Sequence, residues 1–199
     1  MKKWFTALFI ACFGITTVMA APQDAANQIK GNIQQILSII NKDNGSNTAQ
    51  LRKQAENYAM PYFDFTRMTM LAVGNNWKNA SAAQKTALTN EFKTLLIRTY
   101  SGTMMQYKNA KVNVKDNPQS RNGGKIIVVA TEVTIPSQSK PIQMDYTTYP
   151  SGNKYLVYNI SIEGASLVTV YRNQFNDVIA KKGIDGLIQE LKNKNKGGK

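Results

Sequence analysis

The stretch that most constrains the fold is Asn153 to Phe175, NKYLVYNISIEGASLVTVYRNQF. In its first half Tyr155, Leu156, Val157, Tyr158, Ile160 and Ile162 are aromatic, β-branched or otherwise apolar, which predicts a buried strand. In its second half Leu167, Val168, Tyr171, Phe175 and Val178 recur at spacings of three and four, which predicts a helix. Glu163, Gly164, Ala165 and Ser166 lie between them. The glycine permits a sharp turn and the serine is suited to cap the helix. A strand that turns directly into a helix folds the helix back onto its own sheet. The rest of the chain must then supply that sheet and whatever lies between the two layers.

Upstream, helical periodicity comes first and strand periodicity later. Asp24 to Asn41 carries an apolar stripe of Ile29, Ile33, Ile36, Leu37 and Ile40. A second helix is expected from a Thr48 cap to about Ala59, and Pro61 ends it or opens the next. Asp64 is placed as the cap of a short helix that stops at Gly74. Ser81 to Gln84 matches a capping box and opens the longest helix, about Ala82 to Tyr107. From Lys111 the period becomes two. Strands are expected at 111–115, at 125–135 and at 142–149, with turns at 118–124 and 150–153. In the long strand Ile127, Val129, Thr131, Val133 and Ile135 share a face. Lys182-Gly183 breaks the chain before a last helix from Ile184 to Leu191. This order predicts an α+β domain, with helices on one face of a curved, four-stranded antiparallel meander sheet.

Composition narrows the chemistry. Residues 1–20 read as a cleaved signal peptide: Lys2 and Lys3, an apolar run, then Val18-Met19-Ala20. A membrane anchor is the competing reading of the same run, and a lipoprotein reading would use Cys12. Residues 21–192 are expected to form one domain, and residues 193–199 a basic flexible tail. Cys12 is the sole cysteine and the chain has no histidine. Disulfides, thiolate metal sites and histidine-based nucleophilic triads are thereby excluded from residues 21–199. The net charge is +13, or +11 without Lys2 and Lys3. Solubility alone accounts for such a charge, as does attraction to anionic lipid or acidic partners; an exported chain has no nucleic acid to bind.

No catalytic set stands out, and no phosphate-binding loop or dinucleotide fingerprint is present. Asp145 beside Tyr146 is the best acid–base candidate, against the plainer reading of a solvent-facing carboxylate. A second constellation is apolar. Phe63, Phe65, Met68, Met70, Leu71 and Trp77 crowd one short segment, and Tyr100, Met104, Met105, Met144, Tyr146 and Tyr171 can converge on it. Methionine and aromatic linings suit a pocket for flexible acyl chains, and a solid core has the same composition.

Three blocks together resemble the MlaC family, also called the toluene-tolerance family. The first is Pro61-Tyr62-Phe63-Asp64-Phe65 with Met68, Val73, Gly74 and Trp77, similar to a Phe-Asp-Phe to Gly-x-x-Trp block. The second is Ser81 to Tyr100, with Gln84, Phe92, Leu95 and Leu96. The third runs from Tyr155-Leu156-Val157-Tyr158-Asn159 through Glu163-Gly164-Ala165-Ser166 to Phe175, with Tyr155 where the family usually has Trp and Asn159 where it usually has Asp. The resemblance covers residues 25 to 190. It implies an NTF2-like cone and a periplasmic, non-enzymatic phospholipid carrier without a cofactor. Such a carrier shuttles lipid between an outer-membrane lipoprotein–porin complex and an inner-membrane ABC transporter bearing MlaD, and so maintains outer-membrane lipid asymmetry. The cavity wall is then expected from Phe65, Met68, Leu71, Trp77, Phe92, Leu95, Leu96, Thr99, Tyr100, Met104, Val129, Val133, Met144, Tyr146, Val157, Ile160, Leu167 and Tyr171. The alternatives are an NTF2-like enzyme using Asp145 and a basic adaptor without a cavity.

Overall fold

The structure is a computed structural model and describes residues 21–197. The expected signal peptide, residues 1–20, lies outside the described residues.

Helix α1 (Pro22–Ile40) starts with proline at its first position, where the missing N–H costs nothing. Helix α2 (Thr48–Ala59) follows a loop of Asx turns. Thr48 is its first residue and not its cap; its hydroxyl donates to Asp43, and Asn47 takes the cap position. Helix α3 (Phe65–Val73) is capped by Asp64, whose Oδ1 accepts from the Arg67 amide at 2.8 Å, and it ends at Gly74. Helix α4 (Ala82–Met104) opens with the reciprocal Ser81–Gln84 capping box. Its last expected turn, Met105–Tyr107, tightens to a 3₁₀ helix.

The sheet is larger than the four strands expected. β1 (Lys111–Val114) and β2 (Gln119–Arg121) both pair with β3 (Ile126–Thr134) along one edge, so part of the expected 118–124 turn is a strand. The order continues through β4 (Ile142–Ser151), β5 (Lys154–Ile162) and the two-residue β6 (Ala165–Ser166), all antiparallel. The β4–β5 hairpin closes on Gly152-Asn153. A register shift where Thr147 pairs with Asn159 and Thr148 with Val157 leaves Tyr158 as an extra residue. That bulge explains the unbroken apolar run in β5. Tyr155 and Val157 before it, and Ile160 and Ile162 after it, stay opposite one face of β4, whose residues are Ile142, Met144, Tyr146 and Thr148.

The β5–β6 link is a tight turn with Glu163 at φ 49° and Gly164 at φ 78°, a left-handed pair that glycine makes inexpensive. Helix α5 (Leu167–Gly197) then starts with Ser166 Oγ accepting from the Thr169 amide, as expected. Asn159 Oδ1 also accepts from Ser166 Oγ (3.1 Å) and from the Val168 amide (3.3 Å). The helix start uses only the acceptor Oδ1, which an aspartate would also supply, while Nδ2 donates to Ser161 Oγ at 3.4 Å. α5 kinks at Gly183 (φ 71°, ψ −176°), as the Lys182-Gly183 break predicts. The expected tail differs: residues 193–197 continue the helix. Asn195 is buried, and its Nδ2 donates to the backbone carbonyl and carboxylate of Glu91 on α4.

The buried apolar residues do not form one continuous core. Met68, Leu88, Phe92, Tyr171, Phe175 and Leu187 belong to a cluster that joins α3, α4 and α5. Ala25, Ala26 and Ile29 pack on Ile127, Val129, Tyr155 and Val157, where the small alanines let α1 lie close to the sheet. Ile39 and Ile40 pack on Leu51 and Ala55 of α2. Val133 and Ile135 form a fourth cluster with Ala110. A domain of this size ordinarily has one contiguous core. Here the clusters surround a space.

Candidate functional site: an apolar cavity

That space is a cavity of about 290 Å³ between α1, α2, α4 and the sheet. Its walls come from every layer. α1 supplies Ile33, Ile36, Leu37 and Ile40, and the α2–α3 segment supplies Glu56, Ala59, Met60, Phe63, Phe65 and Met68. α4 and its 3₁₀ extension supply Leu96, Ile97, Tyr100, Ser101, Thr103, Met104 and Tyr107. The sheet supplies Val112, Val133, Met144, Tyr146, Ile160 and Ile162, and α5 supplies Leu167. The cavity arises because α1 is pinned at both ends to different partners. Its N-terminal half, through Ile33, packs on the sheet and its C-terminal end, from Ile36 on, packs on α2, and these middle residues, only partly buried, also line the cavity where α1 passes from one partner to the other. The lower half of α4 likewise extends past the Phe92–Tyr171–Phe175 aromatic cluster, whose ring centroids are 4.8 to 5.6 Å apart.

Of the residues expected on the wall, Phe65, Met68, Leu96, Tyr100, Met104, Val133, Met144, Tyr146, Ile160 and Leu167 are there. Eight are elsewhere. Phe92, Tyr171, Leu71, Leu95 and Trp77 belong to the solid α3–α4–α5 cluster, and the Trp77 ring has Lys85 Nζ 5.7 Å from its centroid. Val129 and Val157 are covered by the N-terminal half of α1. Thr99 is exposed, because positions 96, 100 and 103 of α4 face the cavity and position 99 lies off that stripe. Asp145 pairs with Ala130 and Ser161, and it alternates with Met144 and Tyr146, so it points away from the cavity.

The first sequence block has a structural explanation. Phe63 bridges Val157 in parallel, and the Asp64 amide donates to the Val157 carbonyl at 2.9 Å, covering the open edge of β5. Asp64 Oδ2 then accepts from the Tyr149 hydroxyl at 2.5 Å, and the Arg67 guanidinium lies 4.0 Å from the Tyr158 ring centroid. This cluster fixes the start of α3, so that Phe65 and Met68 reach the cavity.

Polar groups at the wall are few. Burial pushes the Tyr146 hydroxyl up to about 12, with the neighbouring Tyr107 adding to the effect. Desolvation likewise raises Tyr100 to about 12, helped by the Tyr171 hydroxyl beside it. Tyr100 is 38% exposed and marks the rim. Such a wall is chemically suited to apolar chains. Among the described residues no group of three or more Asp, Glu, His or Cys side chains is placed to hold a metal ion, and no helix is long and apolar enough to cross a membrane.

Fold and cavity together define a class: an α+β domain built around an internal apolar ligand site. Comparison with known proteins gives the particular family. The sequence model of the MlaC protein family matches residues 30–193, and the chain belongs to that family. It is similar to a toluene tolerance protein, ttg2D, of Pseudomonas putida, at 25% identity over 108 residues. That match covers 54% of this chain and 49% of the relative, so the chain spans about half the length of the curated relative it matches. A solved structure, the phospholipid-binding protein of Ralstonia solanacearum in complex with a phospholipid, superposes with a TM-score of 0.77 at 33% identity, over 87% of this chain and 97% of that one.

Proposed function

We propose that this protein is a periplasmic phospholipid carrier of the Mla type. The observation that carries the reading is the 290 Å³ cavity with a nearly unbroken apolar wall, in a chain similar over most of its length to one solved with phospholipid. A lipid leaving a membrane exposes its tails to water at about 0.8 kcal/mol per methylene. An apolar slot lowers that barrier, and methionine and isoleucine walls adapt to chains of different length. In this reading the cargo is held without chemistry, and Asp145, the acid–base candidate of the sequence, points away from the slot. Lipid is exchanged between an outer-membrane lipoprotein–porin complex and an inner-membrane transporter through MlaD, which keeps the outer leaflet free of phospholipid. The basic surface steers docking.

Native mass spectrometry of protein purified without added lipid tests the cargo. Co-purified diacyl lipid supports the carrier, and an empty chain that binds membrane proteins supports the adaptor reading. For docking, association with MlaD is expected to weaken between about 50 and 200 mM salt as screening shortens. Salt-insensitive association leaves solubility as the explanation of the charge.

A further inference from the structure

The polar part of a bound lipid must lie where the apolar wall ends, and a cation stands there on α4. Lys93 precedes Ile97 by one turn and Tyr100 by two, so it continues the α4 face that lines the cavity. It is half-buried. Its Nζ lies 5.3 Å from the centroid of the Phe65 ring, and Phe65 is itself a wall residue. The ring holds the ammonium at the cavity edge without neutralising it or using its N–H donors. Among the described residues, no carboxylate lies within ion-pair distance of Lys93. Glu91, two positions away in sequence, faces another side of α4 and accepts from Asn195 of α5. A half-buried charge beside an apolar wall is costly without a counter-ion, so this ammonium is poised to take one.

In a phospholipid with its tails in the cavity, the phosphate is the first charged group outside them. Along α4 the order is the same: apolar wall, then Lys93. We propose that Lys93 is the phosphate contact of the bound lipid and makes the carrier selective for phosphodiester lipids over neutral lipids with the same tails. Lys93 Nζ donates to a non-bridging phosphate oxygen, and the lysine stem and the Phe65 ring shield the pair from water on one side. On the α2 side of the wall Glu56 repels an anion, which favours the α4 side for the phosphate. Diacylglycerol, which has the tails and no phosphate, gains nothing from Lys93. The inference rests on the carrier reading and deepens it by naming the class of lipid.

The test is extraction of lipid from vesicles of phosphatidylcholine that contain a minor share of diacylglycerol with the same acyl chains. The two lipids bound to the re-isolated full-length mature protein are quantified by mass spectrometry as a phospholipid-to-diacylglycerol ratio. Lys93→Met keeps the length of the stem and its packing on Phe65 but removes the charge. A partly exposed ion pair corresponds to a wild-type ratio about two- to fivefold above that of Lys93→Met. Lys93→Arg keeps the charge and is expected to keep the ratio, and the diacylglycerol bound per protein is expected to be the same in all three. If Lys93→Met does not fold, Lys93→Gln takes its place in the same comparison. Equal ratios in wild type and Lys93→Met overturn the phosphate contact, as does a parallel loss of both lipids, which makes Lys93 a packing residue only. Repeating the extraction in inorganic phosphate, against chloride at equal ionic strength, separates the two sources of phosphate. An unchanged wild-type ratio supports the lipid contact, and a fall to the Lys93→Met ratio assigns the site to free phosphate and overturns the proposal. A wild-type protein that extracts neither lipid overturns the carrier reading instead.

Discussion

Replacing Met144 with tryptophan separates a cavity from a core. Met144 is half-buried in the middle of β4, opposite Thr131 and Ile162, and lines the cavity. In a solid core the larger indole overpacks, at about 1–3 kcal/mol. Facing a 290 Å³ space it has room, and the empty protein keeps its stability. If the added atoms displace about three to four acyl methylenes, at about 0.8 kcal/mol each, lipid binds about 50- to 200-fold more weakly. Phe92→Ala is the contrasting change, since Phe92 is fully buried between Tyr171 and Phe175. It costs about 3–5 kcal/mol, or about 6–20 °C in Tm for a chain of this size. The assay is thermal unfolding of delipidated protein, together with lipid recovered by mass spectrometry. The expected pattern is a Tm for Met144→Trp within about 2 °C of wild type and a lipid load near zero. A delipidated Met144→Trp that melts more than about 6 °C lower, or one that folds and carries a full load, refutes the placement of the slot.

Four further outcomes are expected. Asp64→Ala removes the α3 cap and leaves the Tyr149 hydroxyl without its acceptor, lowering unfolding free energy in urea by about 2–4 kcal/mol; a loss under 0.5 kcal/mol would contradict the cluster's role. Asn159→Asp keeps the acceptor that caps α5 and adds negative charge at a helix N-terminus, while the long 3.4 Å donation to Ser161 Oγ can be replaced by the serine hydroxyl donating to the carboxylate, so it stabilises by about 0.3–1 kcal/mol at neutral pH, and the gain disappears on titration to low pH. Tyr146 has a folded pKa of about 12 against an ordinary 10.0, so the folded state holds its proton longer. Stability is therefore unaffected by this group below about pH 10 and falls as pH rises from there toward 12, a decline that Tyr146→Phe should lessen in urea titrations. Deleting residues 193–199 removes the Asn195–Glu91 bonds and lowers Tm by about 2–8 °C, whereas a frayed tail would leave Tm unchanged.

Local chemistry made much of this fold legible in the sequence. The Ser81–Gln84 box, the Asp64 cap, the Gly74 and Gly183 breaks and the Ser166 start of α5 each depend on residues a few positions apart, so the chain states them directly. The inward faces of β3 and β4 follow from alternation alone. The first sequence block also marked a segment of the cavity wall, since Phe65 and Met68 line it. Tertiary structure decided what periodicity does not encode, namely whether an apolar face meets protein or empty space. Phe92 and Leu96 share one stripe of α4, yet the first is packed among aromatics and the second lines the cavity. Ile33, Ile36, Leu37 and Ile40 read as an ordinary helix face and form a wall because the two ends of α1 are held by different partners. The bulge at Tyr158 and the short strands β2 and β6 depend on pairing across the sheet, not on their own few residues. Periodicity thus fixes which side of an element is apolar, while the cavity depends on the distance between elements, which is set only when all of them are packed together.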